Sequence, residues 1–304
     1  MTTRTAVITG ANSGLGLECA RALLAGDETY HVVLAVRDAA RGADAVTNLG
    51  VAQRCTVLPL DLASLASVRA FGELLGDAGL PPLHAVVCNA GLQVPSGTRL
   101  TEDGFEMTFG VNHLGHFALM QGLVPQLTRP ARVVVVSSGT HDPKKFTGMP
   151  HPDYSSAEAL AHPPADPEGT PNGRRRYTTS KLCNLLFAYE LDRRLGRGGD
   201  GITVTSFDPG LMPGSGLARN YPPAMRLVSR YLFAALRVLP NVNGTRESGR
   251  RLAALVADPR FDGVSGAYFE GEKAIRSSVE SYDESKALEL WEASERLVAR
   301  VRPS

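Results

Sequence analysis

Thr5-Ala6-Val7-Ile8-Thr9-Gly10-Ala11-Asn12-Ser13-Gly14-Leu15-Gly16-Leu17 decides the fold. A short apolar run stops at a cluster of glycines, and beyond it the spacing becomes helical, with Leu17, Ala20, Leu23 and Leu24 on one stripe. Glycines let the backbone turn sharply from strand into helix and approach a ligand closely. The amides at the helix N-terminus are then free to hold a pyrophosphate. Gly10, Asn12, Ser13, Gly14, Leu15 and Gly16 are therefore candidate dinucleotide ligands. A strand-to-helix turn with no ligand has the same appearance, so the rest of the chain must decide.

Outward from this turn, β-branched runs alternate with longer helical patterns. The runs are Ala6 to Ile8, His31 to Val36, Cys55 to Pro59, Ala85 to Cys88, Arg132 to Ser137, Thr203 to Phe207 and Ala267 to Phe269. Val133-Val134-Val135-Val136 is apolar at consecutive positions, which requires both faces of the strand to be covered. The expectation is an α/β, Rossmann-type doubly wound parallel sheet of about seven strands. Ser281 and Glu284 read as a capping box opening a last helix that carries Leu288, Trp291, Leu297, Val298 and Val301. With 304 residues, 43% of them hydrophobic, the chain is expected to fold as one domain over 1–304.

The other strand ends have cofactor chemistry. Arg37 closes the second strand, where an acidic residue would select NAD; a guanidinium grips a 2′-phosphate instead, so NADP(H) is expected. The alternatives are a solvated arginine or a partner for Asp38. Asp61 and Leu62 are placed for an adenine ring, and Asn89-Ala90-Gly91 for the ribose at the switch point, although both stretches also read as turn chemistry.

Tyr177 and Lys181 stand four apart at the start of a helix and share a face, so the ammonium favours the phenolate and tunes an acid/base tyrosine. Ser138, at the end of the valine strand, is placed to hold a substrate oxygen. The stretch 139–176 between them is too long for an ordinary connection and reads as either a substrate flap or a surface insertion. The segment 211–239 mixes Leu227, Val228, Tyr231, Leu232 and Phe233 with four arginines. It reads as a lid for an apolar substrate, a membrane-resting face, or a packed segment with solvated charges. Arg174-Arg175-Arg176 either meets an anionic substrate or is solvated.

Net charge is +1, which leaves no field to attract nucleic acid or an anionic membrane. The four cysteines are scattered and read as reduced thiols. No apolar run approaches the ~20 residues of a membrane span, and no leader precedes the first strand, so a cytoplasmic address is expected. His113 and His116 have metal-ligand spacing, but nothing completes a site, and no metal is expected.

Taken together, Thr9-Gly10-x-x-x-Gly14-x-Gly16, Asn89-Ala90-Gly91, Asn112, Ser138, Tyr177-x-x-x-Lys181 and Pro209-Gly210 resemble the short-chain dehydrogenase/reductase family over nearly the whole chain. The resemblance implies Tyr177 as proton donor, Lys181 on the nicotinamide ribose, Ser138 on the substrate and Asn112 anchoring the lysine through water. It also implies Tyr177, Pro209 and Gly210 against the cofactor. Val36-Arg37-Asp38, Asn112-His113-Leu114-Gly115-His116-Phe117 and the Tyr177 to Asn184 stretch resemble the retinol dehydrogenase and light-dependent protochlorophyllide reductase branch, which generally uses NADPH.

Three positions depart from the pattern. Leu211 stands where the protochlorophyllide enzymes carry Cys, and Gln93 where they carry Tyr, which argues against protochlorophyllide itself. Gly214 replaces the Thr that holds the carboxamide, leaving Ser215 to substitute. The expected activity is NADPH-dependent reduction of a bulky apolar ketone or aldehyde, or the reverse alcohol oxidation. The alternatives are reduction of an activated C=C bond and a non-catalytic NADP-binding redox sensor. A small-molecule substrate is the expected partner, and a homo-oligomer remains open.

Overall fold

A computed structural model of the chain describes residues 3–166, 172–210 and 244–301. Its strands are β1 (Arg4–Thr9), β2 (Tyr30–Val36), β3 (Cys55–Pro59), β4 (Leu83–Cys88), β5 (Leu127–Val136), β6 (Ile202–Asp208), β7 (Ala267–Glu270) and β8 (Lys273–Ile275). They form one sheet in the order β3-β2-β1-β4-β5-β6-β7-β8. The first seven are parallel and match the seven apolar runs in the sequence. The eighth is three residues long, pairs antiparallel with β7 and is largely exposed, so it has no apolar signature. The strand order reverses between β1 and β4, which places the ligand crevice beyond their carboxyl ends.

The valine run of β5 shows why the sheet is apolar on both faces. Val133 and Val135 enter a core shared with Phe117 and Phe187, while Val134 and Val136 enter the opposite core with Leu252 and Phe269. Helices α1 (Gly14–Gly26), α2 (Ala39–Leu49) and α3 (Leu65–Asp77) follow the first three strands. Next come α4 (Met107–Phe109), a π-helical turn over Gly110–Leu114, α5 (Gly115–Leu123), α6 (Ala157–Ala161) and α7 (Gly173–Arg194). Helices α8 (Thr245–Ala257) and α9 (Glu284–Arg300) complete the described set. Among the described residues no helix is long and apolar enough to cross a membrane.

Two expectations need correction. Ser281 does not cap the last helix: it lies in a 3-10 turn, Val279–Tyr282, and its hydroxyl bonds the Ser278 carbonyl. The cap is Asp283, which accepts the amides of Ser285 and Lys286. The buried face of α9 is Ala287, Leu290, Ala293, Ser294 and Leu297, whereas Leu288 is exposed.

The stretch 139–176 is also less irregular than its composition implies. Gly173 to Arg176 is the first turn of α7, and Ala157 and Ala161 of α6 are buried against α9 in the same core as Tyr154. Residues 167–171 of that stretch, and the whole of 211–239 with Leu211, Gly214 and Ser215, lie outside the described residues.

Candidate active site

At the end of β1, Gly10 and Gly14 adopt φ of 68° and 58°, conformations that favour glycine. Gly16 serves close packing: an ideal Cβ there would lie 2.6 Å from Asn89 Nδ2 and 2.9 Å from the Gly10 carbonyl oxygen. Helix α1 therefore rests directly on the β1–β4 seam. The hydroxyl of Ser13, its N-cap residue, makes no capping bond, whereas Asp38 and Ser64 cap α2 and α3. The first-turn amides of α1 are thus left without a side-chain acceptor, the arrangement that suits an anion. Leu15 is buried beneath them, and Asn12 and Ser13 are partly exposed beside them.

Behind this turn is a closed hydrogen-bond network. Asn89 donates its side-chain amide to the Thr9 carbonyl at 2.8 Å, so that side chain is used to join β4 to β1. Thr9 Oγ1 accepts the amides of Asn89 and Ala90, both at 2.9 Å, and lies 2.9 Å from His116 Nε2. His116 Nδ1 reaches the Asn112 carbonyl at 3.2 Å and must donate there, so Nε2 is bare and takes the Thr9 proton. Burial agrees with this neutral ring, pulling the His116 pKa down to about 4. His113 is likewise held near 3 and bonds Ser294. Neither histidine belongs to a metal cluster, and no group of three candidate ligands exists among the described residues.

Asn112 sits in the π-helical turn, a local widening that aims its side chain back toward β4. Its Oδ1 accepts the Leu92 amide at 2.8 Å, and its Nδ2 donates to the Leu92 carbonyl and Ser180 Oγ, both at 3.0 Å. Ser180 in turn donates to the Tyr177 carbonyl at 2.7 Å. The loop carrying Gly91 is thereby tied to the helix carrying Tyr177 and Lys181.

Lys181 is buried, with Nζ donating to the Val136 carbonyl at 3.1 Å and lying 5.8 Å from the centre of the Tyr177 ring. Gly91 packs at its edge: a Cβ there would lie 3.6 Å from the same ammonium and 3.3 Å from Asn112 Oδ1. Burial pulls the Lys181 pKa down to about 8, with the Asp208 carboxylate opposing the shift. Ser137 donates to the Lys181 carbonyl at 2.8 Å, binding the end of β5 to α7 and bringing Ser138 to the same edge. Ser138 Oγ accepts the amide and hydroxyl of Thr140 at 3.3 and 3.1 Å, which leaves its own proton free for a third oxygen.

Arg37 is exposed at the end of β2. Asp38 does not pair with it; that carboxylate accepts the Arg41 amide as the cap of α2. Among the described residues neither the Arg37 nor the Arg41 guanidinium has a partner, so two free cations flank this strand end. Asp61 performs turn chemistry, accepting the Ala63 amide at 2.9 Å, and Leu62 is buried against Gly115. Pro209 and Gly210 follow β6, Gly210 with φ of 75° and its amide 2.9 Å from Asp208 Oδ1. Arg174 and Arg176 are structural staples: Arg174 bonds Gly148 and Met149, and Arg176 bonds Asp166, Gly97 and Thr98. A groove of about 710 Å³ opens between Asp142–Lys144 and Ser278–Lys286, but Ser138, Tyr177 and Lys181 do not line it.

A sequence model of the short chain dehydrogenase family matches residues 4–157. The chain belongs to that family. It is 39% identical over 297 residues to a WW domain-containing oxidoreductase of Danio rerio, covering 96% of this chain and 68% of that one. It is 37% identical over 319 residues to chloroplastic protochlorophyllide reductase A of Oryza sativa subsp. japonica, covering 97% and 80%. Among solved structures, an uncharacterized protein from Mycobacterium Paratuberculosis superposes with a TM-score of 0.69 at 30% identity, over 98% of this chain and 94% of the other.

In this dehydrogenase the sequence reading missed Arg41, Thr140, Ser180 and Asn184, the last sharing the Val136 carbonyl with Lys181 at 3.0 Å. Each lies within four residues of a named site residue. Spacing was the available signal for Arg41, four residues beyond Arg37 in the first turn of α2.

Proposed function

We propose that this chain is an NADPH-dependent reductase of a bulky, apolar ketone or aldehyde, with Tyr177 as proton donor. The carrying observation is the buried Lys181 ammonium, set beside the Tyr177 ring. The bound nicotinamide supplies the hydride. Ser138 offers its free hydroxyl proton to the substrate oxygen, and Tyr177 delivers a proton to that oxygen as its charge develops. Lys181 stabilises the phenolate left behind. Gly10, Asn12, Ser13, Gly14, Leu15 and Gly16 would cradle the pyrophosphate, Asp61, Leu62 and Asn89–Gly91 the adenosine, and Pro209, Gly210 and Ser215 the nicotinamide end. Bulk and apolarity in the substrate are supported by relatives named for a pigment.

A C=C acceptor is the second reading, favoured by the same relatives. The sensor reading is weakened by the intact set of Asn112, Ser138, Tyr177 and Lys181. NADPH consumption in the dark against bulky ketones, aldehydes and enones, beside an NADPH-binding titration, separates the three. Turnover of ketones supports the main reading, and turnover of enones alone moves the assignment to C=C. Tight binding with no turnover leaves the sensor.

Arg37 and Arg41 carry the cofactor choice. Arg37→Asp is expected to weaken NADPH by roughly 100-fold, because charge-assisted bonds are lost and repulsion is gained, while NADH changes little. Fluorescence titration of both cofactors decides, and equal losses for the two would remove the 2′-phosphate assignment.

The reduction should also fall as pH rises through the Lys181 pKa of about 8. Below it the ammonium is charged and supports the phenolate. Above it that support disappears, and the rate should drop about tenfold per pH unit. A kcat profile flat to pH ~10 would show that the lysine charge is not used.

A further inference from the structure

We infer that His141 is the positioning residue of Ser138, a neutral imidazole strut that fixes the backbone from which the substrate-facing hydroxyl projects. This deepens the proposed reductase and rests on that reading for the role of Ser138.

His141 is completely buried although it lies in a polar stretch. Its Nδ1 is 2.6 Å from the Ser138 carbonyl, which can only accept, so this nitrogen carries the proton. Its Nε2 is 3.1 Å from the Ser278 amide, which can only donate, so this nitrogen is bare. Both nitrogens are satisfied by a single neutral tautomer. The His141 amide adds a second bond to the same Ser138 carbonyl at 3.1 Å.

The strut is held from every side. The ring stands edge-on to Tyr268 of β7, with centroids 5.2 Å apart. Tyr268 donates to Asp208 at the end of β6 at 3.0 Å, and a Cβ on Gly139 would lie 2.9 Å from that carboxylate. Lys145 pairs with Asp208 and Glu270. Asp208 and Asp142 favour a charged imidazole and Lys145 opposes it, but burial dominates and keeps the ring neutral.

The three-residue turn Gly139–His141 is therefore anchored at its far end to Ser278, outside the reaction site. Its near end is Ser138. Without the imidazole the carbonyl keeps only the longer bond from the His141 amide and the turn loses its tie to Ser278, so Ser138 can shift, and a displacement of about 1 Å at a reacting group costs up to ~100-fold in rate.

His141→Phe keeps an aromatic ring against Tyr268 and the amide bond to Ser138 but removes both imidazole hydrogen bonds. His141→Asn restores a donor near the Nδ1 position. We expect His141→Phe to lower kcat at least ~10-fold with NADPH affinity unchanged, and His141→Asn to recover most of the loss. In a Ser138→Ala background the same His141→Phe change should cost less than ~2-fold, because the group it positions is gone. Equal losses in the two backgrounds would overturn the proposal.

Nitrogen-15 shifts of the histidine rings at neutral pH need no substrate. The resonance that disappears in His141→Asn should report a protonated Nδ1 and a bare Nε2, and a charged ring or the other tautomer would overturn the strut. If wild-type enzyme turns over nothing while the ring shows the expected tautomer, the reductase reading fails and the strut stands.

Discussion

Tyr177→Phe is expected to reduce turnover by about 1,000-fold or more while leaving NADPH affinity within about 2-fold, since a positioned general acid contributes roughly 100- to 10,000-fold. The side chain is only 6% exposed, so the phenyl ring fills the same space against Lys181 and the fold loses little. What disappears is the phenolic proton beside a buried ammonium. Ser138 cannot replace it, because a hydroxyl without a neighbouring cation does not reach an acid/base pKa near neutrality. The loss should therefore appear in kcat rather than in cofactor binding. NADPH oxidation with the best substrate of the panel, and cofactor fluorescence in its absence, give the two numbers. Activity within tenfold of wild type would mean that the proton comes from another group.

The contrast between what the sequence disclosed and what it hid follows from the range of the interactions. Seven parallel strands were legible because burial on both faces imposes local apolar runs, as in Val133 to Val136. Candidate site positions could be named because the turns at Gly10 and Gly210 and the spacing of Tyr177 and Lys181 are local patterns. The cap of α9 was misread because Ser281 and Asp283 are both good capping residues two positions apart, and the 3-10 turn that recruits Ser281 is stabilised by Ser277 and Ser278.

Long-range partners were not legible at all. The Asn89 side chain joins the carbonyl of Thr9, 80 residues away, a pairing that the Asn-Ala-Gly stretch does not announce. His141 carries no local signal, because its bond to the Ser278 amide spans 137 residues. The three arginines before Tyr177 looked equivalent, yet only folding shows that Arg176 grips Asp166 and the loop at Gly97.

Among the glycines of the described residues, Gly173 has the least room for a Cβ, and Gly173→Ala should be strongly damaging. In a helix interior the substitution would help by about 0.5–1 kcal/mol, because alanine is the better helix former, and at this first helical position the gain is at most that. Here an ideal Cβ would lie 1.6 Å from the Val94 carbonyl oxygen and 2.7 Å from the backbone carbons of Val94 and Pro95. All three atoms are main chain, so no rotamer change relieves the overlap, and overpacking of this kind costs about 3 kcal/mol. That exceeds the propensity gain and, for a chain of 304 residues, corresponds to a fall in Tm of about 5 °C. The alternative relief is a shift of the first turn of α7, which moves Tyr177 one turn downstream and lowers kcat by up to ~100-fold. Gly122→Ala in α5 is the comparison, since a Cβ there meets nothing within 4 Å. It should be neutral or slightly stabilising by less than ~1 kcal/mol. Thermal melts and kcat for both variants test the argument. A Gly173→Ala protein as stable and active as the Gly122→Ala one would show that the contact between α7 and the Val94–Pro95 backbone does not set the position of the helix that carries Tyr177.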